Sequence, residues 1–330
     1  MTNQGAAKPI DAHSAIERPG RWTDELVDDQ VSRGGGLSAF GQEGRAEREG
    51  HPWPERSARN GRLVAVGRSF RSEARKLRRG GTFLAIGGLA ALAVLSSVLS
   101  FALAKNGLIE AGRGPEVSVP TLQELATPGG LVLGFRIGST FTGLLLMVLC
   151  AATTATEYAQ GTIRVIFMRE PRRVAWLAGR MGALLGLLVV ALVGAFVLSA
   201  ATSVLMAELR NVPTDQWWTA DALREAGKDY LNVLVATTFF AITGTTLGLL
   251  VRSTTAAVLI GVAWMFPLEH IVQQAWLNAA TWLPGLVFND IGTGGNVVSG
   301  YRGPLLLGLA YAAVLALVGV VSLARRDVTS

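Results

Sequence analysis

Six long runs of apolar residues separate the polar parts of the chain. A transmembrane helix needs roughly 20 mainly apolar residues to cross about 30 Å of hydrocarbon. Runs of this kind fall at about 82–103, 131–156, 177–205, 230–251, 256–272 and 304–324. The fifth run is the shortest, because Pro267, Glu269 and His270 interrupt its end. The pattern predicts an all-α integral membrane protein with six transmembrane helices.

A basic segment with helical periodicity precedes the first run. In the stretch RLVAVGRSFRSEARKLRR (62–79), apolar residues recur at spacings of three and four, and arginines occupy the other faces. A helix of this kind can lie in the membrane interface, with its arginines on lipid phosphates. Targets of calmodulin or nucleic acid have a similar composition. The adjacent membrane span nevertheless favours an amphipathic interfacial helix over 62–81, in contact with membrane lipids and not with nucleic acid.

The first 61 residues differ from the rest of the chain. They are rich in Gly, Arg, Glu and Ser, include an RGGG run at 33–36, and contain few large apolar residues. Such a segment buries too little apolar surface to offset the entropy lost on ordering. We therefore predict a disordered tail over 1–61 and a membrane domain over 82–326, followed by a short terminus at 327–330.

Charge predicts the orientation of the spans. The chain has 330 residues, 50% of them hydrophobic, and a formal net charge of +6. Short cytoplasmic segments carry an excess of Lys and Arg. Residues 62–81 contain seven basic residues and one acidic residue, and residues 157–180 contain five arginines, whereas residues 206–229 contain three basic and five acidic residues. No secretory signal peptide is evident. Both termini are therefore expected to be cytoplasmic.

The motifs of the common enzymes and metal sites are missing from the sequence. It contains no phosphate-binding loop, no G-x-S-x-G elbow, no H-E-x-x-H and no paired-cysteine spacing. The single cysteine, Cys150, allows no intrachain disulfide. We expect no catalytic residue, no metal and no cofactor in this chain. If the protein moves a cargo uphill, the energy must come from a partner or an ion gradient.

The segment 157–173, between the second and third runs, is unusually charged for a short loop. Gly161 precedes a short stretch with helical spacing, in which Ile163, Ile166 and Phe167 share one side. Pro171 ends that helix, because proline lacks an amide hydrogen and constrains the residue before it. The pattern predicts a short cytoplasmic helix with an apolar face. An ordinary positively charged loop is the alternative.

Three cytoplasmic segments carry a family resemblance. They are SEARKLRRGGTF at 72–83, EYAQGTIRVIFMREPRRVAWLAGR at 157–180 and GLLVRSTTAA at 248–257. Together they resemble the permease subunits of the second type of bacterial ATP-binding-cassette exporters, a family that exports antibiotics, drugs, sodium and polysaccharides. The resemblance covers about residues 62–326. Arg180 stands where that family commonly has lysine.

The resemblance implies that segment 157–173 is a coupling helix, which docks on a separate ATPase subunit. The residues it assigns to this coupling are Glu157, Gly161, Thr162, Ile163, Ile166, Phe167, Pro171 and Arg173. Glu73 and Lys76 match the Glu and Lys of the family's interfacial helix. Two ATPase subunits, which bind ATP and Mg²⁺, and a second permease copy or a related permease would complete the transporter. The implied location is the bacterial plasma membrane.

Two other functions are compatible with six spans. A membrane anchor or scaffold would hold a cytosolic enzyme at the bilayer without any transport. An ion-gradient-driven transporter would show internal repeats and a buried pair of ionisable residues near the middle of the membrane, and the sequence shows neither.

The pairs Gly182–Gly186 and Gly244–Gly248 allow close packing of helices, either within the chain or between subunits.

Overall fold

A computed structural model of the chain describes residues 55–76, 80–105, 120–162, 173–295 and 300–325. These residues are mainly helical, and no strand occurs among them. The first helix, which we call the entry helix, is Glu55–Lys76. It begins ahead of the predicted boundary at residue 62, because Glu, Ala and Arg favour helix even where the apolar periodicity is absent. Residues 1–54 of the predicted tail lie outside the described residues.

Six helices of the described chain are long and apolar enough to cross a membrane. We call them the first to the sixth span, and they are Gly81–Ala102, Pro128–Ala159, Arg173–Arg210, Ala220–Val251, Thr254–Ala275 and Arg302–Arg325. The prediction of a helical membrane protein with six spans is confirmed. The third span is longer than the run that predicted it, since its helix continues through Arg173 and Glu208 into polar surroundings.

Shorter helices join the spans. The second span starts as the 3-10 turn Pro128–Val132 and continues as the helices Leu133–Ile137 and Ser139–Ala159. The helix Leu122–Leu125 and the 3-10 turn Asp215–Trp218 precede the second and fourth spans. The 3-10 turn Leu277–Thr281 and the helix Pro284–Gly292 lie between the fifth and sixth spans.

A two-residue turn joins the fourth and fifth spans. The fourth span ends at Val251 because Arg252 adopts a left-handed conformation, with φ at 57°. Ser253 then caps the fifth span, and its hydroxyl accepts a hydrogen bond from the Ala256 N–H at 3.5 Å. The two spans therefore reverse direction with almost no intervening loop.

The second and fourth spans pack closely at two glycines. A methyl group on Gly244 would lie 2.1 Å from the carbonyl oxygen of Met147, and one on Gly248 would lie 2.7 Å from that of Ala151. No real side chain tolerates such distances, so only glycine allows this approach of the helices. The Gly244–Gly248 pair thus serves packing within the chain.

Contacts between helix ends define two ends of the bundle. At one end, Arg173 donates to the carbonyl of Leu323 at 3.1 Å, which joins the start of the third span to the end of the sixth. At the other end, Arg210 donates to the carbonyl of Ala102 at 3.3 Å, which joins the end of the third span to the end of the first. We call them the Arg180 end and the Arg136 end, after the buried or half-buried arginine at each.

The fifth span is interrupted by Pro267. The helix Thr254–Ala263 changes to a π-turn at Trp264–Leu268 and resumes as Glu269–Ala275. Proline cannot donate the helical hydrogen bond, and a π-turn accommodates such a break. The sequence predicted an interruption at this place, whereas the structure shows that the span continues beyond it.

Candidate coupling site

Several predicted coupling residues lie at the Arg180 end of the bundle. Glu157 is in the last turn of the second span, and Arg173 begins the third span. Gly161 and Thr162 follow the second span directly. Gly161 has a φ of +66°, in the left-handed region that favours glycine, so a glycine suits the point where the chain leaves the span.

The remaining predicted residues are described only in part. Glu73 lies in the last turns of the entry helix, and Lys76 is the final residue of that helix. The apolar face of the predicted coupling helix and the proline that would end it fall in 163–172, outside the described residues: Ile163, Ile166, Phe167 and Pro171. Their docking role therefore stays a prediction.

Arg180 brings two of the predicted residues together. It lies two turns into the third span with only 4% of its surface exposed. Its guanidinium donates to Glu157 at 2.5 Å and lies 3.6 Å from the carboxylate of Glu73. Three segments that are far apart in sequence, the entry helix and the second and third spans, thus meet at one buried arginine.

Other polar and aromatic groups complete the surroundings of Arg180. Nη2 of the guanidinium donates to the hydroxyls of Thr153 and Thr154 at 3.2 and 3.3 Å. The Trp176 ring lies 5.6 Å from the guanidinium carbon, a cation–π distance. Among the described residues, Nε of Arg180 has no hydrogen-bond partner. A buried charge needs such partners, because without them its desolvation costs several kcal/mol.

Gly179 explains how the entry helix reaches Arg180. A methyl group on Gly179 would lie 2.5 Å from Cβ of Ser69, and 2.9 Å from the backbone N of Phe70 and from the Val66 carbonyl oxygen. The entry helix therefore crosses the third span in contact with its backbone. One turn beyond Ser69, the same helix face carries Glu73, which the crossing places beside Arg180.

The segment 248–257 also lies at the Arg180 end of the bundle. Arg252, in the turn between the fourth and fifth spans, lies over the Tyr158 ring at 5.1 Å. The hydroxyls of Thr156 and Thr254 are 3.0 Å apart and join the end of the second span to the start of the fifth. Residues from all three of these segments, Glu73, Glu157 and Arg252, therefore lie near the end of the second span, where segment 157–173 begins.

A cavity of about 380 Å³ lies beside the Arg180 cluster. Its walls include the three charged residues and three threonines: Glu73, Glu157, Arg180, Thr82, Thr153 and Thr156. The cavity lies between the entry helix and the first three spans.

Sequence reasoning missed the central position of Arg180. It assigned Glu157 to the coupling segment and Glu73 to the interfacial helix, but it did not identify Arg180 as the partner of either carboxylate. Glu157 and Arg180 are 23 residues apart in sequence, across the segment 163–172. The available signal was Gly179, which precedes Arg180. A glycine within a helix allows another helix to approach closely, and here it allows the entry helix to reach the third span.

A second ion cluster lies at the Arg136 end. Arg136 is 3.7 Å from Asp229 and 3.9 Å from Glu124. Arg136 lies in the helix Leu133–Ile137 of the second span, and both carboxylate neighbours come from within the chain.

The threonine hydroxyls of the fourth span bond mainly to backbone carbonyls. Hydroxyls of four of them donate to carbonyls of their own helix three or four residues earlier: Thr237, Thr238, Thr243 and Thr245. Thr246 donates to the Leu315 carbonyl of the sixth span at 3.0 Å. Such bonds satisfy polar groups inside a membrane helix.

In the part of the chain that the structure describes, no group of three His, Cys, Asp or Glu side chains could hold a metal ion.

Comparison with known proteins identifies one family. No curated protein matches the sequence at a significant level. One protein family matches over residues 135–329, more than half of the chain, and its description is "Protein of unknown function (DUF2705)". That match begins near the start of the second span and includes Glu157, Arg173 and Arg180. The chain belongs to the family DUF2705.

Proposed function

We propose that the chain is the transmembrane permease subunit of an ATP-driven exporter. In this proposal, segment 157–173 docks on a separate ATPase subunit. The observation that supports it best is the buried Glu157–Arg180–Glu73 cluster at the root of that segment. An ordinary surface loop needs no such anchor, whereas a segment that transmits force must be attached firmly to the spans that move.

Transmission would follow from the contacts of Arg180. A push on segment 157–173 reaches Glu157 at the end of the second span, and the Glu157–Arg180 hydrogen bond carries it to the third span. The contact with Glu73 includes the entry helix in the same movement. Helices tied by buried ion pairs move together, because separating them leaves a charge uncompensated in a low dielectric.

The Arg180 end would face the cytoplasm in a bacterial plasma membrane. Four arginines lie at this end, three of them within the terminal turns of spans and one in the turn between two spans: Arg173, Arg180, Arg325 and Arg252. At the opposite end, the ion cluster contains one arginine, Arg136, and two carboxylates, those of Glu124 and Asp229. Positive charge at the cytoplasmic side is the usual rule for short loops. The outward-facing apolar side chains of the spans, such as Leu84 and Val190, suit contact with lipid.

The complete transporter would contain more than one chain. Two ATPase subunits would bind ATP and Mg²⁺ and hydrolyse the nucleotide, and the present chain would contribute no catalytic residue. A second copy of this chain, or a related permease, would form the other half of the pathway. The partners are thus an ATPase, a permease, and membrane lipids, with no nucleic acid.

Co-purification tests this function. The tagged full chain is extracted from membranes of its native host in mild detergent, and the bound proteins are identified by mass spectrometry. We expect an ATPase subunit with a phosphate-binding loop, together with ATP hydrolysis by the preparation. A preparation free of such an ATPase in several detergents would contradict the permease function and favour a membrane scaffold.

A further inference from the structure

A fully buried carboxylate lies in the interrupted fifth span. Glu269 has 0% of its surface exposed and immediately follows the π-turn Trp264–Leu268. Oε2 of this carboxylate accepts a hydrogen bond from the backbone N–H of Leu286 at 2.9 Å. Gly285 also interacts with the carboxylate through its backbone. A carboxyl group buried in a membrane protein is costly and generally serves a function.

The partner of Glu269 is the first turn of the helix Pro284–Gly292. This helix lies inside the bundle, because Val287, Phe288 and Ile291 are fully buried. They belong to the core cluster that also contains Phe239 and Met147, from the fourth and second spans. Just before the helix, the carbonyl of Trp282 accepts a hydrogen bond from Tyr311, about three turns into the sixth span.

The position of this helix creates a need for an acceptor. The first N–H groups of any helix have no partner within the helix, and water satisfies them at a protein surface. Inside a membrane domain water is scarce, and each unsatisfied N–H costs several kcal/mol. A carboxylate at a helix N-terminus satisfies these groups and also interacts favourably with the helix dipole. Glu269 supplies both interactions to Pro284–Gly292.

We infer that Glu269 is a latch, a positioning residue that holds the helix Pro284–Gly292 inside the bundle near the Arg136 end. When the latch is closed, the helix fills the space between the second, fourth and sixth spans. When it is released, the helix withdraws and exposes that space. The inference concerns the membrane domain alone and does not depend on the source of energy for transport.

Two features limit how firmly this helix is held in place. Oε1 of Glu269 is buried and has no hydrogen-bond partner of ordinary geometry among the described residues, although the Trp264 side chain also interacts with the carboxylate. Glycines with positive φ follow the helix, Gly294 at 91° and Gly295 at 105°. The helix is thus held at its N-terminus by an incompletely satisfied charge and is followed by residues that permit unusual backbone angles.

Gly285 provides a second way to disturb the same contact. A methyl group on Gly285 would lie 2.7 Å from Oε2 of Glu269 and 2.9 Å from the carbonyl oxygen of Met265. The substitution Gly285→Ala must therefore displace either the carboxylate or the helix. Glu269→Ala and Gly285→Ala act on opposite sides of one contact and should have the same effect.

The experiment measures access to the space beneath the helix. Val287→Cys is introduced into the full chain with Cys150→Ala, reconstituted in nanodiscs, and labelled with a membrane-impermeant maleimide. The engineered cysteine should react slowly while the latch is closed. Adding either Glu269→Ala or Gly285→Ala should raise its labelling rate about tenfold or more, because hydrogen bonds to a charged group are lost. Glu269→Gln, which keeps an acceptor oxygen, should raise the rate less.

Native Cys150 and a neighbouring residue are the controls. Cys150 is buried in the second span and reports general loosening of the bundle when it is the only cysteine. We expect it to stay unreactive in Glu269→Ala, and His270→Ala should leave both rates unchanged. Equal exposure of Cys150 and the cysteine at 287 would overturn the latch in favour of a general structural role. Unchanged labelling in both latch variants would overturn it as well.

Discussion

Arg180 combines two properties that rarely occur in one membrane residue. It is a permanent charge with almost no exposed surface, and it contacts carboxylates from two different helices. Arginine suits this position because its planar guanidinium donates in several directions at once. Lysine at this position would present a single ammonium group. The Nη2 contacts with Thr153 and Thr154 would then be lost or weakened.

The pair Glu157–Arg180 should be strongly coupled in stability. We expect Arg180→Met alone to lower the free energy of unfolding by about 3–5 kcal/mol, because it removes the buried arginine that pairs with Glu157 and Glu73. Combined with Glu157→Gln, the loss should be smaller than the sum of the two single losses by about 1–3 kcal/mol. Thermal or denaturant unfolding of the four proteins in detergent measures this difference. Additive losses would show that the two side chains do not act as a unit.

Gly179 should be required for the entry helix to reach the third span. Gly179→Val should destabilise the domain by about 1–3 kcal/mol, because its side chain collides with the backbone at Phe70 and Val66. Gly186 lies on the same span with open space around it, so Gly186→Ala is a control for substitution of a glycine in this span. That control should be neutral or stabilising by up to about 1 kcal/mol, since alanine favours helix.

The melting temperature of each glycine variant gives the comparison. Loss of stability in Gly179→Val with none in Gly186→Ala supports the close crossing of the entry helix. Equal melting temperatures for the two variants would mean that the entry helix does not pack at Gly179. The position of Glu73 beside Arg180 would then lack its structural basis.

Elements of this protein differ in how far the sequence predicts them. The six spans follow from hydropathy, because about 20 apolar residues in sequence form a span whatever their neighbours are. The position of Glu269 does not follow in this way. In sequence it is a charge that interrupts an apolar run, and only the packing of Pro284–Gly292 against the fifth span shows that its carboxylate caps a helix.

The residues of the candidate site also differ in how far the sequence predicts them. The positions of Glu157 at the end of the second span and of Gly161 just beyond it agree with the sequence, whereas their role in coupling stays a prediction. The joining of Glu73 to Arg180 could not be predicted, since it depends on a crossing of two helices about a hundred residues apart in sequence. Long-range contacts leave only indirect traces in a single sequence, such as the small residue Gly179 at the crossing.

The predicted coupling helix should lose its partner when its apolar face is altered. We expect Ile163→Asp and Phe167→Ala each to weaken ATPase binding about 30-fold, since a few buried anchors dominate helix-in-groove recognition. By helical spacing, Met168 lies away from that face, so Met168→Ala should bind normally. Insertion into the membrane should be unchanged in all three, because no span is altered. Normal binding by both face variants would exclude this segment as the docking element.

At the scale of the whole molecule, the two ends of the bundle differ in charge and in construction. At the Arg180 end, a buried cluster joins the entry helix to the second and third spans, and Arg252 contacts Tyr158 beside it. Near the Arg136 end, the helix Pro284–Gly292 fills the bundle. The proposed account assigns force input to the first end and control of access to the second. The six spans between them are the path by which one end could affect the other.

The composition of the native complex tests the central claim most directly. The tagged chain is purified from its host without overexpression of any partner, and the intact complex is weighed by native mass spectrometry. The account predicts two permease subunits with two ATPase subunits, and loss of both ATPases when Ile163→Asp is introduced. A chain recovered alone or with proteins that do not hydrolyse ATP, while remaining folded and inserted in the membrane, would contradict the claim.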